Sequence, residues 1–416
     1  MIKVIETFSG IGAQAKALER IGVEHEIINT CDWEMSAIIA YWMIHKHGSE
    51  GDQYSKISDD DICDFLKSQN ISMDGKKPVN HSLISGFSIE TKRILYRAIK
   101  ETKNLVSIMD VHGKDIPEDI DLLTYSFPCQ DLSLCGFWHG NITGISRDAN
   151  NRSGMLWEID RILKEMNSEG RNLPRFLVME NVTNILSNSN KADFNVWKST
   201  LEGLGYYNQI YRLNAKNFGV PQKRERAYMI SILVNRDLYK HMQLCRYFEE
   251  NDLQSEEVAR RYQSRRFQLK DVLRLDYSTD LYREEADINQ PNDTPSRTKI
   301  LLENDMLFDG KRINEIFVNT VTTKQDRNPN SGLITYINGR EGKTKWRYLT
   351  PRECFMLMGF DEIDYDRVIQ CNPEYVRGKF LFTNEKLTRL AGNSICVDVL
   401  EALFRQILEI KEILFD

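Results

Sequence analysis

The chain has 416 residues, 41% of them hydrophobic and 28% charged, and a net charge of −6; this is an ordinary soluble composition, long enough for a large core and a second, smaller domain. No run approaches the roughly 18 or more apolar residues of a membrane span, and no charged-then-apolar leader opens the sequence, so a cytoplasmic protein with no membrane partner is expected. The cysteines are scattered without a CxxC pair or a zinc-like Cys/His spacing, which argues against disulfides and against a bound metal.

Ile2-Lys3-Val4-Ile5-Glu6-Thr7-Phe8 reads as a first strand running into Ser9-Gly10-Ile11-Gly12-Ala13, then a helical stretch with Ala17, Leu18 and Ile21 on one face. Glycines at a strand-to-helix turn let the backbone bend sharply and a ligand approach closely. A second strand, Glu26 to Cys31, ends in Asp32-Trp33. Asp32 lies about 20 residues past the turn, the offset at which an acid bonds ribose hydroxyls in doubly wound folds. Trp33 beside it could stack on an adenine ring, while Asp32 could equally cap the helix that follows. Together they point to an adenosine-containing cofactor. A dinucleotide turn wants a third glycine to cradle pyrophosphate; here that position is Ala15, no cluster of basic residues or hydroxyls follows, and Glu6 precedes the turn. A carboxylate there would repel pyrophosphate and attract a cationic sulfonium, which favours S-adenosylmethionine over NAD. The polar, helix-prone segment 48–104, with Asp59-Asp60-Asp61 as a cap and a helix from Ile89 to Ile99, reads as an elaborated crossover.

Ile120 to Tyr125 reads as a buried strand closed off by Pro128, which holds Cys129 at the carboxyl edge of a sheet, where open α/β folds bind their ligands. A long loop rich in glycine and asparagine follows from Gln130 to Asn151, then a helix from Leu156 to Met166. The strand Phe176–Met179 ends at Glu180-Asn181-Val182, so Glu180 points into the same cleft as Cys129, unless it only caps the next helix. Gln222-Lys223-Arg224-Glu225-Arg226 leads into the strand Ala227–Ile232, and the i, i+2 spacing puts Arg224 and Arg226 on one face.

Beyond 235 the alternation of strands and helices stops. Arg260, Arg261, Arg265, Arg266, Lys270 and Arg274 face a single acid, Asp271, and 274–315 is polar with Pro291 and Pro295. Thr320 to Asn328 is a polar strand-and-turn run, either a reader of base edges or an exposed hairpin. Thr350-Pro351 reads as a cap and first position of a helix. The final helix, from Val397 to about Phe415, has too broad an apolar stripe to be exposed and is expected to return to the first domain on its cofactor side.

Phe8–Gly12, Phe127-Pro128-Cys129-Gln130, Glu180-Asn181-Val182, Gln222-x-Arg224-x-Arg226, Thr350-Pro351-Arg352-Glu353-Cys354 with Met358-Gly359-Phe360, and Gly392-Asn393-Ser394 occur in the order of the motifs of the DNA (cytosine-5) methyltransferases. The chain resembles that family over nearly its whole length. The resemblance implies an α/β fold with a doubly wound, mostly parallel, Rossmann-like sheet and a second, smaller, irregular target-recognition domain. The catalytic domain would comprise 1–234 and 391–416, the recognition domain 235–345, and a hinge with connecting helices 346–390.

It implies that Cys129 attacks carbon 6 of a flipped-out cytosine, that Glu180 holds ring N3 and the amino group, and that Arg226 and Arg224 hold the base oxygen and the cysteine. Gln130 would lie at the root of the closing loop and Asn181 beside Glu180. Cofactor contacts fall on Phe8, Ser9, Gly10, Ile11, Gly12, Asp32, Trp33, Ser126, Pro128, Leu156, Asn393, Ser394 and Ile395. Asn104 and Leu105 stand where the family often has an acid for the adenine amino group. DNA contacts are expected from Ser133, Arg260, Arg261, Arg265, Arg266, Thr322, Thr323, Lys324 and Arg327. The implied cofactor is S-adenosylmethionine, leaving as S-adenosylhomocysteine. The implied partner of this prokaryotic monomer is duplex DNA, with a cognate restriction endonuclease as a companion. Two other readings stand beside it: a tRNA cytosine-5 methyltransferase, against which the long span from Arg226 to Thr350 argues, and a non-catalytic DNA-binding relative. A dinucleotide oxidoreductase is a third, disfavoured by Glu6.

Overall fold

The structure, a computed structural model, describes residues 1–48, 54–128, 152–326 and 330–415. Six strands form the central sheet: β1 (Ile2–Thr7), β2 (His25–Cys31), β3 (Leu122–Tyr125), β4 (Phe176–Val182), β5 (Tyr206–Asn214) and β6 (Glu225–Leu233), in the order β2-β1-β3-β4-β6-β5. β2, β1, β3 and β4 are parallel neighbours, and β6 runs antiparallel to both β4 and β5. The sheet is therefore mostly parallel, as expected, with one reversed strand.

β3 and β4 are almost wholly buried, the pattern of strands covered on both faces. Val4, Leu122, Val178 and Ile230 pack into one core with the helices Met35–Lys46 and Val397–Leu414. Their neighbours Ile5, Leu123, Leu177 and Met229 pack into a second core with the helix Leu156–Ser168 and Trp197. Alternate residues thus feed opposite layers, the period of an extended chain. The final helix packs on the helix Ala13–Arg20 and on β5: its Asp398 and Glu401 pair with Arg20, and its Gln406 accepts from the Tyr211 hydroxyl.

The segment 54–104 adds the helices Asp59–Ser68, His81–Ser85 and Ile89–Glu101 beside Met35–Lys46. Ser58, rather than the aspartates, caps the first of these, its hydroxyl accepting from the Asp61 N–H. The three acids instead fill the first turn, where the helix dipole favours them.

In the carboxyl half, β7 (Met306–Phe308), β8 (Leu333–Thr335) and β9 (Trp346–Arg347) make a second, three-stranded sheet. Thr350 caps the helix Pro351–Leu357 through a reciprocal box with Glu353, as the sequence predicts. The run that begins at Thr320, described to Asp326, is tied at its start to the Gln222–Arg226 motif. Val318 bridges to Gln222, the Thr320 hydroxyl donates to the Lys223 carbonyl, and the Val321 N–H donates to Gln222 Oε1. Asn319 and Thr320 also bond across to Ser331, the Asn319 N–H donating to the Ser331 carbonyl and the Ser331 hydroxyl donating to the Thr320 carbonyl. Among the described residues no helix is long and apolar enough to cross a membrane.

Candidate active site

β1 has β2 on one side and β3 on the other, so the strand order turns between them, and a ligand crevice opens outside the carboxyl ends at such a point. A cleft of about 250 Å³ lies there. After β1 it is lined by Phe8, Ser9, Gly10 and Ile11; after β2 by Asp32, Trp33 and Glu34; after β3 by Ser126, Phe127 and Pro128. Glu180 at the end of β4, the arginines Arg224 and Arg226, and Asn393, Ser394 and Ile395 complete it.

The reversal of β6 accounts for the arginines: an antiparallel strand begins at the edge where its parallel neighbours end. Val182 is registered with Arg226 and Glu180 with Tyr228, so Glu180 and Arg226 lie diagonally on one face of the sheet. Their carboxylate and guanidinium are 3.5 Å apart. Burial raises the pKa of Glu180 above the ordinary carboxylate range, opposed by the charges of Arg226 and Arg224. Glu180 therefore holds a proton more readily than a surface glutamate and is equipped to donate as well as accept.

Arg224, two residues away, is used differently. Its guanidinium is buried and donates to the carbonyls of Val321, Gly392 and Ser394. Asn181 also works on the backbone. Its amide donates to the Phe127 carbonyl and its oxygen accepts from the Val182 N–H, tying the end of β4 to the end of β3. Cys129, Gln130, Ser133 and Arg327 lie outside the described residues; the chain enters the first of those segments from Pro128, on the cleft wall.

At the other end of the cleft, Asp32 accepts from the N–H groups of Gly10 and Glu34, each at 2.9 Å. Burial outweighs these bonds and lifts its pKa to about 6. Phe8–Gln14 and Cys31–Glu34 contain no arginine or lysine. A wall of Asp32, Glu34, Trp33, Phe8 and Ile11 suits an adenosine and a sulfonium, and its carboxylates disfavour a pyrophosphate. S-adenosylmethionine fits these residues.

Glu6, expected from its place before the turn to attract the sulfonium, does not reach it. Its side chain is fully buried and does not line the cleft; it lies against Tyr41, and burial raises its pKa to about 8. Burial favours its protonated, neutral form, and from outside the cleft it holds no sulfonium. Gly12 also faces away: with φ at +81°, it packs on His45 and Tyr41.

Asn104 and Leu105 do not line the cleft; Val106, Ser107, Ile108 and Met109 do. The amide oxygen of Asn104 is engaged by the N–H groups of Asp32 and Val106. Leu156 is in the core, and its neighbour Met155 lines the cleft. Asp74 and Gly75, from the segment with no readable chemistry, form another part of the wall. No periodicity or motif marks them. They are brought there by Arg389, which donates to the Asp74 carbonyl and pairs with Glu34.

The predicted DNA-binding arginines do not form one basic face. Arg265 is spent on Asp361, Asp398 and the Gly359 carbonyl, because acids from two later helices converge on it. Arg260 and Arg266 line a separate groove with Lys216 and Lys270, Arg260 pairing there with Glu256, whereas Arg261 donates to the Glu250 carbonyl. Thr322 and Thr323 lie against Gly392, beside the cleft residues Asn393 and Ser394. The Thr322 hydroxyl donates to the Lys324 carbonyl. Among the described residues no His, Cys, Asp and Glu side chains group as a metal site.

The sequence profile of the C-5 cytosine-specific DNA methylases matches residues 84–409. The chain is 33% identical over 410 residues to the type II methyltransferase M2.ScrFI of Lactococcus lactis subsp. cremoris, covering 98% of this chain and 99% of that one. It is 32% identical to the orphan methyltransferase M.SssI of Spiroplasma monobiae, covering 98% and 97%. Its fold is also similar to the crystal structure of the S. pombe Dnmt2 methyltransferase, with a TM-score of 0.57 at 19% identity over 98% of this chain and 99% of that one. The chain belongs to the C-5 cytosine-specific DNA methylases, enzymes that transfer a methyl group from S-adenosylmethionine to carbon 5 of cytosine in double-stranded DNA.

Proposed function

We propose that Cys129, Glu180 and Arg226 carry the chemistry and that Arg224 and Asn181 position it. The observation that supports this reading is the meeting of Glu180 and Arg226 at 3.5 Å in the cleft that also holds the glycine turn and the end of β3. Carbon 5 of cytosine is too weak a nucleophile to act unaided. The Cys129 thiolate adds to carbon 6, and the electron pair of the ring double bond becomes available at carbon 5. Glu180, hydrogen-bonded to ring N3 and the amino group, donates a proton to the charge that develops there. Arg226 holds the base oxygen and stabilises negative charge on the ring. S-adenosylmethionine, held by the Gly10 turn, Asp32, Trp33 and Ser394, supplies the methyl group that carbon 5 receives. Loss of the carbon 5 proton to a base restores the double bond and expels Cys129.

The target carbon is shielded in a stacked duplex, so the base is flipped out, at a cost of a few kcal/mol. In this reading residues 1–234 and 391–416 form the catalytic domain, 235–345 the recognition domain and 346–390 the hinge. Ser133, Arg260, Arg261, Arg266, Thr322, Thr323, Lys324 and Arg327 contact DNA, whereas Arg265 is held by Asp361 and Asp398. The enzyme acts as a monomer in a prokaryotic cytoplasm, either with a restriction endonuclease of the same site or as an orphan; its relatives include a type II methyltransferase and an orphan methyltransferase.

The test is transfer of labelled methyl groups to duplex DNA and to tRNA, with trapping on fluorocytosine-containing DNA. Label at carbon 5 of duplex cytosine and a denaturation-resistant adduct, both lost in Cys129→Ala, are expected. Label in tRNA alone, or an adduct that survives Cys129→Ala, would overturn the assignment.

A further inference from the structure

Val106 is a buried, β-branched residue at φ +60°. That left-handed conformation is a true outlier for its residue type, and such backbones persist only where their surroundings over-determine them. Here the determinant is visible. The Val106 N–H donates to Asn104 Oδ1 at 2.7 Å, and the Cys31 thiol donates to the Val106 carbonyl. The same Asn104 oxygen accepts from the Asp32 N–H at 3.1 Å, and the Asp32 carboxylate accepts from the Gly10 N–H. One buried amide therefore joins the segments after β2 and before β3, and the Asp32 carboxylate carries the link on to the turn after β1.

We infer that Asn104 is a positioning residue for S-adenosylmethionine, which it does not touch: it locks Val106 in the left-handed conformation and so aims Ser107, Ile108 and Met109 at the cofactor. The inference rests on the reading of this cleft as the cofactor site. It goes beyond a contact role, because it assigns the effect of Asn104 to a backbone angle two residues away.

A glycine at 106 reaches positive φ without the steric penalty, so the lock should matter far less there. The test is a cycle of four proteins, wild type, Asn104→Ala, Val106→Gly and the double variant, with Asp32→Ala alongside, read as the dissociation constant of S-adenosylhomocysteine by calorimetry. Asn104→Ala is expected to weaken binding tenfold or more in the Val106 protein and less than threefold in the Val106→Gly background. In turnover, Asn104→Ala should raise the KM for S-adenosylmethionine with kcat little changed, a split that general loss of folded protein would not give. Equal losses in the two backgrounds, or a fall in kcat with KM unchanged, would overturn the lock. Undiminished binding in Asp32→Ala would instead overturn the placement of the cofactor, whichever way the cycle falls.

Discussion

Glu180 and Glu6 are both buried carboxyls whose pKa burial raises, yet the fold uses them differently. Glu180 has a guanidinium on the same sheet face and opens onto the cleft. Replacing it with glutamine keeps the shape and one acceptor but removes the transferable proton. Glu180→Gln is expected to lower kcat by about 10² to 10⁴, the usual range for a general acid, with the affinity for S-adenosylhomocysteine within a few fold. A kcat within tenfold of wild type would remove Glu180 from the chemistry. Glu6 lies fully buried against Tyr41 and the Ala15 N–H. The unfolded chain releases that proton near pH 4.5, whereas the folded chain keeps it until about pH 8. Between these values the folded state binds more protons, so stability falls as pH rises, by several kcal/mol in all. Glu6→Gln should flatten urea midpoints across that window and raise them at pH 8. An unchanged slope would show that Glu6 titrates normally.

The turn after β1 is the element on which the cofactor end is built, and its inner side is as constrained as its outer side. Gly12 has φ +81°, and a Cβ there would stand 2.2 Å from His45 Nε2 and 2.7 Å from the Tyr41 ring. His45 cannot swing away freely, because its Nε2–H donates to the Ile11 carbonyl and its buried ring stays neutral. Gly12→Ala should cost about 2 to 5 kcal/mol, combining the left-handed penalty with overpacking. His45→Ala in the same chain should recover the steric share, and no recovery in denaturant midpoint would place the strain elsewhere.

This turn also shows what a sequence can and cannot disclose. The glycines, Asp32-Trp33, Glu180 and Arg226 are legible because strand ends and local offsets bring them to one edge. Val106–Met109, Asp74 and Gly75 are not, because they reach the cleft through the bond from the Asp32 N–H to Asn104 and the bond from Arg389 to the Asp74 carbonyl, which join distant segments that no local pattern links. Glu6 misleads for a related reason: its place before the turn is visible, but the face it takes on β1 is set by packing against Tyr41.

At the scale of the molecule, the two arginines of the Gln222–Arg226 motif divide one sequence signal into two roles. Arg226 reaches the cleft and Glu180, whereas Arg224 fastens together Val321, Gly392 and Ser394, chain segments more than 90 residues from it in sequence. Val321 begins the run that leads to Thr322 and Thr323, and Ser394 lines the cleft, so this buried cation couples the proposed DNA-reading segment to the cofactor wall. Its burial lowers its pKa to about 10, helped by the charge of Arg226; it stays charged at neutral pH. Removing it strands three carbonyls that accept charge-assisted bonds, a loss of at least about 3 kcal/mol. Arg224→Ala should therefore lower the urea midpoint and, even where the protein remains folded, raise the KM for both DNA and S-adenosylmethionine. Arg226→Ala removes a donor at the reacting ring, so kcat should fall by about 10² to 10³ with the midpoint nearly unchanged. Matching losses of stability and kcat in the two variants would mean that the motif acts as one catalytic pair and that the coupling through Arg224 is not separable from the chemistry.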